Sequence, residues 1–272
     1  MNSIGSLTIL TGLLVGTIAT SANAYKLSYT KHGDVIRWFE SCVQYTIHEE
    51  GVPSLSFEPV REAVRESFDT WENVPCTYFY FEETAPASCD EVAVHQDRGN
   101  MNLLVWVTGG WTVLDKEHTP DAIGLTTLAW NDDTGQILDA DIEFNADYFE
   151  FGLDAEPNKA DIINTATHEI GHLLGLAHSS VIDGTMYRSA APGEINKRDL
   201  DPDDIDAVCE LYPIDEDPDN CLAPLCGLDL DCSSTTCGER SPLAEDSGCT
   251  VATPAPGRLS AVTDLMAALL TH

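Results

Sequence analysis

The chain has 272 residues, with 46 acidic against 13 basic side chains, a formal net charge of −33 and nine cysteines. Because 43% of the residues are hydrophobic, the chain can bury a core, which excludes a disordered acidic tail. The acidic excess argues against nucleic acid and against an anionic membrane surface as partners, since both are bound through Lys and Arg. The charge has two interpretations: a solvated surface, typical of secreted or salt-tolerant proteins, or carboxylate clusters that bind calcium.

The N-terminus predicts export. Residues 7–20 form an apolar run of signal-peptide length, and residues 21–24 supply an A-x-A cleavage pattern. The run is too short for a comfortable membrane span. We therefore expect residues 1–24 to be a signal peptide that is cleaved after Ala24, leaving a secreted, extracellular chain with no stable membrane span.

Cysteine usage also fits an oxidising compartment. No paired C-x-x-C arrangement of the zinc-ribbon kind is present, so disulfides are the favoured interpretation. Four cysteines lie in the main body, and their three pairings stay open: Cys42, Cys76, Cys89 and Cys209. Five crowd the last fifth of the chain, where the odd thiol is expected: Cys221, Cys226, Cys232, Cys237 and Cys249.

In chain order, the body alternates strand and helix patterns. Period-two or apolar, aromatic-rich runs predict strands, and apolar residues at helical spacing with a charged opposite face predict helices. The predicted strands are 43–48, 77–81, 102–107, 125–130 and 136–144, and a hairpin loop at 131–135 joins the last two. The predicted helices are 57–74, 159–176 and 202–211, the last with Asp201 as N-cap. This order predicts an α/β fold with a mixed sheet and an antiparallel edge.

The composition changes after Pro213. Residues 214–220 form an acidic linker, and residues 221–272 form a Cys-rich tail. We expect this tail to be a small disulfide-bonded knot or an extended, partly disordered stalk. Residues 259–270 favour a loose helix. The alternative is a C-terminal sorting signal following Gly248 and Cys249, which would attach the protein to a surface.

The chemistry-bearing motif is H-E-x-x-H-x-x-G-x-x-H at residues 168–178. His168 and His172 are four apart on a helix, about 40° around its axis, so both imidazoles can reach one metal ion. Glu169 flanks that ion and is placed to take a proton from water. His178 can join the site only if the helix stops and the chain turns back. Gly175 is where that can happen, because glycine accepts the left-handed conformation that ends helices.

This donor set predicts a catalytic zinc site. Three neutral histidines leave an open position for water, whereas structural zinc sites are closed by four protein ligands. Zinc lowers the pKa of water to about 7 and polarises a carbonyl oxygen. Glu169 is then the general base, which passes its proton to the leaving amine.

The segment resembles the metzincin zinc endopeptidases, and within them the matrixin-like branch. The resemblance covers roughly residues 25–213 and is strongest at the zinc motif. Further matches are Ser179 after the third histidine, 183–187 as the Met-turn, 200–213 as the last helix, and 37–38, 43–47 and 68–71 as the start of the catalytic domain.

The resemblance implies a metzincin-like catalytic domain over residues 25–213. Its twisted sheet would be mixed and mostly parallel, with an antiparallel edge strand, an active-site helix and a C-terminal helix. It also implies that Met186 lies beneath one catalytic zinc. A protein or peptide substrate would bind in extended form along an edge strand, which is strand addition. The matching edge-strand residues here are Gly124, Leu125, Thr126 and Thr127.

Some features depart from the family. Residues 126–130 and 139–145 contain no histidine, so we expect no second, structural zinc. Asp139, Asp141 and Glu143 alternate along one strand, which suits either calcium or a solvated acidic face. Residues 188–190 replace the family's Pro-x-Tyr wall. No inhibitory PRCGxPD motif is present. We expect Cys42 to form a disulfide, and the alternative is that its thiolate caps the zinc. With a disulfide there, latency would have to come from the tail or from calcium.

Two functions compete. The first is a secreted zinc endopeptidase, and the second is an acidic, calcium-dependent extracellular binding module with a vestigial zinc site. The presence of Glu169 favours the enzyme, because a binding module has no need of a general base.

Overall fold

The computed structural model describes residues 24–88, 92, 101–114 and 118–220, together with the backbone of 259–268. Residues 1–23 of the predicted signal peptide, Cys89 and all five tail cysteines lie outside the described residues. The described strands are β1 Lys26–Leu27, β2 Cys42–Ile47, β3 Tyr80–Glu83, β4 Leu103–Val107, β5 Ala122–Asn131, β6 Ile137–Asn145, β7 Phe151–Gly152, β8 Ala160–Asp161, β9 Leu176–Ala177, β10 Ser189–Ala190 and β11 Leu259–Ala268. The α-helices are α1 Phe57–Glu72, α2 Trp111–Leu114, α3 Ile162–Leu173 and α4 Pro202–Leu211.

A mixed sheet forms the centre of the fold. Within the described ranges its order is β10-β11-β5-β6-β4-β2-β3. Strands β3, β2, β4 and β6 run parallel, and β5 turns back antiparallel to β6 through the predicted hairpin. The α/β fold with a mostly parallel sheet and an antiparallel strand is therefore confirmed.

Helices α1 and α3 pack against each other on one face of this sheet. The buried stripe of α1 is Val60, Ala63, Val64, Ser67, Phe68 and Trp71, which has the spacing of one helix face. Successive side chains of β4 point to opposite faces of the sheet. Leu104 and Trp106 join the main core beneath the helices, whereas Leu103 and Val105 pack on the opposite face.

Local signals decide the ends of the last helix. Asp201 caps α4 in a reciprocal capping box with Asp204, and Pro202 occupies the first turn. A disulfide joins Cys76 to Cys209 in α4, with 5.5 Å between their Cα atoms. Cys42 is also disulfide-bonded. The Cys76–Cys209 disulfide ties α4 to the chain segment that leads into β3.

The loose helix expected at residues 259–270 is wrong. Residues 259–268 form β11, which pairs antiparallel with β5. The physical reason is that β5 supplies a row of backbone donors and acceptors, and this tertiary pairing overrides the local preference. No helix among the described residues combines the length and the apolar character needed to cross a bilayer.

Candidate metal centre

Three histidines converge beside the C-terminal half of α3. His168 and His172 lie on α3, and His178 follows the short strand β9. One ligand atom from each ring lies within 4.8 Å of the others. Nε2 of His172 and Nε2 of His178 are 3.2 Å apart. The helix, glycine turn and third histidine therefore meet in one place.

The turn that returns His178 depends on Gly175. This residue has φ of +96°, in the left-handed region, and an added Cβ would lie 2.4 Å from the carbonyl oxygen of Ile36. The free carbonyls at the end of α3 are also satisfied by side chains. Trp38 Nε1 donates to Leu173 O at 2.9 Å, and the Tyr212 hydroxyl donates to Leu174 O at 2.7 Å. These contacts end the helix at Leu173, three residues earlier than the apolar pattern predicted.

Backbone carbonyls select the tautomer of two of the rings. Nδ1 of His168 lies 2.5 Å from Thr185 O, and Nδ1 of His172 lies 2.8 Å from Leu176 O. A carbonyl can only accept, so in both rings Nδ1 carries the proton and Nε2 presents its lone pair to the centre. This is the orientation that a metal-ligating histidine requires.

Burial keeps the imidazoles neutral. His168 is fully buried, and burial, followed by the neighbouring His172 and Lys197, lowers its pKa well below the usual value. Burial and the same two neighbours lower the pKa of His178 to about 3. Since only a neutral ring can bind a metal ion, the pocket holds both side chains in the binding form at neutral pH.

The donor set fits zinc. Tetrahedral zinc with nitrogen ligands at about 2.0–2.1 Å holds neighbouring ligand atoms about 3.3 Å apart, close to the 3.2 Å between the Nε2 atoms of His172 and His178. Nε2 of His168 is buried and has no hydrogen-bond partner among the described residues. A buried polar nitrogen without a partner is costly unless an ion satisfies it. His168, His172 and His178 would hold that ion.

Met186 packs against the same helix. Its side chain is 1% exposed. A Cβ added at Gly171, one residue before His172, would lie 2.2 Å from Met186 Sδ and 2.8 Å from Trp71 Cζ2. Only glycine fits between the two ligand-bearing turns of α3 and this sulfur. The methionine therefore packs directly against the part of α3 that carries His168 and His172.

Two buried side chains hold the Met-turn, one through its backbone amides and the other through its backbone carbonyls. Asp204 accepts hydrogen bonds from Thr185 N at 2.7 Å and Met186 N at 3.1 Å. Lys197 Nζ donates to the carbonyls of Gly184, Thr185 and Tyr187. Burial lowers the pKa of Lys197 to about 8. The Thr185 carbonyl that orients His168 is thus fixed by residues from the following segment of the chain.

Glu169 lies between the helix and β5. It is fully buried, and the hydroxyl of Thr126 donates to its Oε2 at 2.6 Å. A Cβ on Gly124 would lie 2.6 Å from Oε1. Gly124 and Thr126 were expected to serve the substrate edge, but the structure shows that both also form the walls around this carboxylate.

Comparison with known proteins agrees with this geometry. A model of the matrixin family matches residues 37–213. The chain belongs to the matrixin family. This matrixin is 27% identical to metalloendoproteinase 1 of Glycine max over 74% of its own length and 61% of the relative's. It is 30% identical to metalloendoproteinase 1-MMP of Arabidopsis thaliana, over 68% and 46%, and 26% identical to human neutrophil collagenase, over 67% and 34%.

The matrixin thus spans between 34% and 61% of the length of these three relatives. The family and the names of the relatives support the zinc-dependent metalloendopeptidase that the motif predicts. Its centre also contains parts that sequence reasoning missed, namely the roles of Gly171, Lys197 and Asp204. Gly171 lies inside the zinc motif, where a small residue at helical spacing is a weak signal of close packing. No local sequence pattern indicates the roles of Lys197 and Asp204.

The acidic strand of the matrixin has no solvated face. Asp139, Asp141 and Glu143 are all buried on β6. Burial raises the pKa of Asp139 well above its usual range and that of Asp141 to about 7, and Asp141 accepts a hydrogen bond from Leu103 N at 2.9 Å. Glu143 pairs with His118 at 3.2 Å. Among the described residues, only the three histidines form a group of three that could reach one metal ion.

Proposed function

We propose that the mature matrixin is a secreted zinc-dependent endopeptidase. The observation that carries this proposal is the juxtaposition of three imidazoles, whose ligand atoms lie within 4.8 Å of one another, with one buried carboxylate. Nε2 of His168 faces the centre without another partner in the described part of the chain, and Glu169 lies on the next helical position. A closed structural site would add a fourth protein ligand in place of this neighbouring base.

The residues divide the reaction between them. A zinc ion held by the three histidines would supply a Lewis acid that lowers the pKa of water to about 7 and polarises the scissile carbonyl. Glu169 accepts the proton of the attacking water and then delivers it to the leaving amine. The Thr126 hydroxyl stabilises the ionised form of Glu169 and fixes its orientation. The absence of a side chain at Gly124 leaves space for the carboxylate.

Strand β5 would orient the substrate. An extended peptide that adds to this strand gains main-chain hydrogen bonds along Gly124–Thr127 and passes beside Glu169. Within Gly124–Thr127, the side chains of Leu125 and Thr127 point to the face opposite α3, where Leu125 packs with Trp111. The backbone of the strand would therefore provide the affinity for an extended substrate.

A contact at the start of the described chain supports export. Backbone nitrogens of Ala24 and Tyr25 donate to Asp203 Oδ1 at 3.0 and 2.9 Å. Cleavage after Ala24 would turn the Tyr25 nitrogen into an ammonium group and this hydrogen bond into an ion pair. Asp203 also accepts from Ser179 at 2.6 Å, next to His178. Signal-peptide removal would thus strengthen a contact beside the metal centre, and N-terminal sequencing of exported protein tests the cleavage site.

The test of the enzyme is hydrolysis of casein or gelatin by the mature chain, with and without a zinc chelator. Cleavage should disappear with the chelator and in Glu169→Ala. Glu169→Ala should keep one bound zinc per chain by elemental analysis, whereas His172→Ala, the matched ligand variant, should lose it. Full zinc occupancy without cleavage of any protein or peptide library would refute the protease and favour the extracellular binding module.

A further inference from the structure

The outer edge of β5 is occupied by the chain's own C-terminal segment. Strand β11 runs antiparallel along β5, from Leu259 opposite Asn131 to Ala267 opposite Ala122. Strand β6 covers the other edge of β5. Both edges of β5 are therefore paired, and an incoming peptide cannot add to this strand while β11 is in place.

The segment crosses the centre at the level of Glu169. Met266 is opposite Gly124, and Asp264 is opposite Thr126. Those two β5 positions are the ones that surround the Glu169 carboxylate. The backbone of β11 also comes within 8 Å of α3, measured between Cα atoms. The alignment thus places the C-terminal half of the segment beside Glu169.

A second strand holds the segment from its other side. Strand β10, Ser189–Ala190, follows the Met-turn and pairs in parallel with Ala267 and Ala268. The segment therefore lies between an antiparallel and a parallel partner. An extended peptide added to an open sheet edge uses the same main-chain pairing, so β11 takes the position that the proposed substrate needs.

We propose that residues 259–268 are an intramolecular inhibitor, a substrate-like strand that must leave β5 before a substrate binds. This inference depends on the proposed function, because it names the regulation of the same site. It also gives the tail a role. Residues 221–258 are the tether that connects the inhibitory strand to the catalytic domain.

The tether sets the strength of the inhibition. A tethered strand competes at an effective concentration in the millimolar range when its linker is flexible. If the free strand binds with a Kd of about 0.1 mM, an effective concentration of about 1 mM raises the apparent KM of a peptide substrate roughly tenfold. Competition of this kind changes KM and leaves kcat unaltered.

The test is a pair of neighbouring prolines in the full-length chain. In Asp264→Pro/Leu265→Pro, each proline removes a backbone N–H. Successive N–H groups point to opposite sides of a strand, so one of the two lost donors faces β5. The control is Ala252→Pro/Ala255→Pro, which adds two prolines to the tether, outside β11. All proteins carry Glu169→Ala for binding measurements, and zinc content and thermal midpoint verify that each one folds.

Binding of a fluorescent peptide with the sequence of residues 259–268 is the first readout. We expect Asp264→Pro/Leu265→Pro to bind it at least about tenfold more tightly than the parent and control proteins. Equal affinity in all three would overturn the inhibitor. If the proline variant does not fold, a specific protease site placed within residues 250–254 and cut after folding releases the strand. The same affinity before and after the cut would overturn it equally.

Activity of the same chains with Glu169 restored is the second readout. Freeing β5 should lower KM about tenfold at constant kcat. An unchanged KM in active protein would overturn the inference. If peptide binding differs as expected but no variant cleaves any substrate, the inhibitory strand stands and the proposed protease fails. The two proposals can therefore be refuted separately.

Discussion

The hydrogen bond from Thr126 to Glu169 gives the clearest test of Glu169 as the proposed general base. The hydroxyl lies 2.6 Å from Oε2, and both side chains are fully buried. Thr126→Val keeps the shape and the β-branch and removes only the donor. A hydrogen bond to a charged group contributes about 1.5–3 kcal/mol. At 1.36 kcal/mol per pH unit, losing it should move the acid limb of the kcat/KM profile up by about one to two units.

The assay is hydrolysis of a fluorogenic peptide across pH values of about 5 to 9 with zinc in excess. Thr127→Val is the matched control, because its side chain points to the opposite face of β5 and is partly exposed. Both variants keep the backbone that pairs along the strand. Near the alkaline end, Thr126→Val should recover most of its activity, since Glu169 is then ionised without help.

Two outcomes would refute this reasoning. One is an acid limb that stays at its wild-type position in Thr126→Val. The other is a loss of activity that is equal at every pH and shared with Thr127→Val, which would indicate disruption of the strand and not of the base. Bound zinc, measured for each variant, separates either outcome from damage to the metal centre.

Three further predictions concern stability. Gly171→Ala places a Cβ 2.2 Å from the sulfur of Met186. It should lower the free energy of unfolding in urea by about 1–3 kcal/mol or more and weaken zinc binding. Wild-type stability and zinc affinity in this variant would show that Gly171 is not closely packed. Burial raises the pKa of Asp141 from 3.8 in the unfolded chain to about 7 in the folded one. Burial also raises the pKa of the neighbouring Asp139. The contribution of Asp141 to stability is therefore complete below pH 3.8 and declines as pH rises to about 7. Asp141→Asn should remove this decline, so the stability of the variant relative to wild type should increase across that interval; a constant difference would refute it. Cys76→Ser/Cys209→Ser should lower the free energy of unfolding by about 2–5 kcal/mol, and an unchanged urea midpoint would show that the cross-link is dispensable.

Local sequence signals located most of the catalytic framework. Helix α4 begins at Pro202 and ends at Leu211 as expected, because its N-cap and the following proline are adjacent in sequence. Helix α3 begins three residues later than expected. Ala160 and Asp161 pair instead with Phe151 and Gly152, and hydrophobic periodicity does not reveal such a partner.

The features that could not be predicted depend on contacts between distant parts of the chain. Strand β11 forms because β5 supplies its hydrogen-bond partners. At several paired positions the partner in β5 lies more than 130 residues earlier in the chain. Thr126 was assigned to the substrate edge because strand alternation alone does not reveal which face meets the helix. Lys197 and Asp204 support the Met-turn through backbone groups, and backbone groups carry no sequence pattern.

Asp204 takes part in two structural motifs, the N-terminal cap of α4 and the Met-turn. It closes the capping box of α4, and it holds the Met-turn amides next to the carbonyl that orients His168. A nascent chain that has not yet extended through α4 therefore contains all three histidines without the frame that aims them. The metal centre can therefore take its final geometry only after α4 has been synthesised.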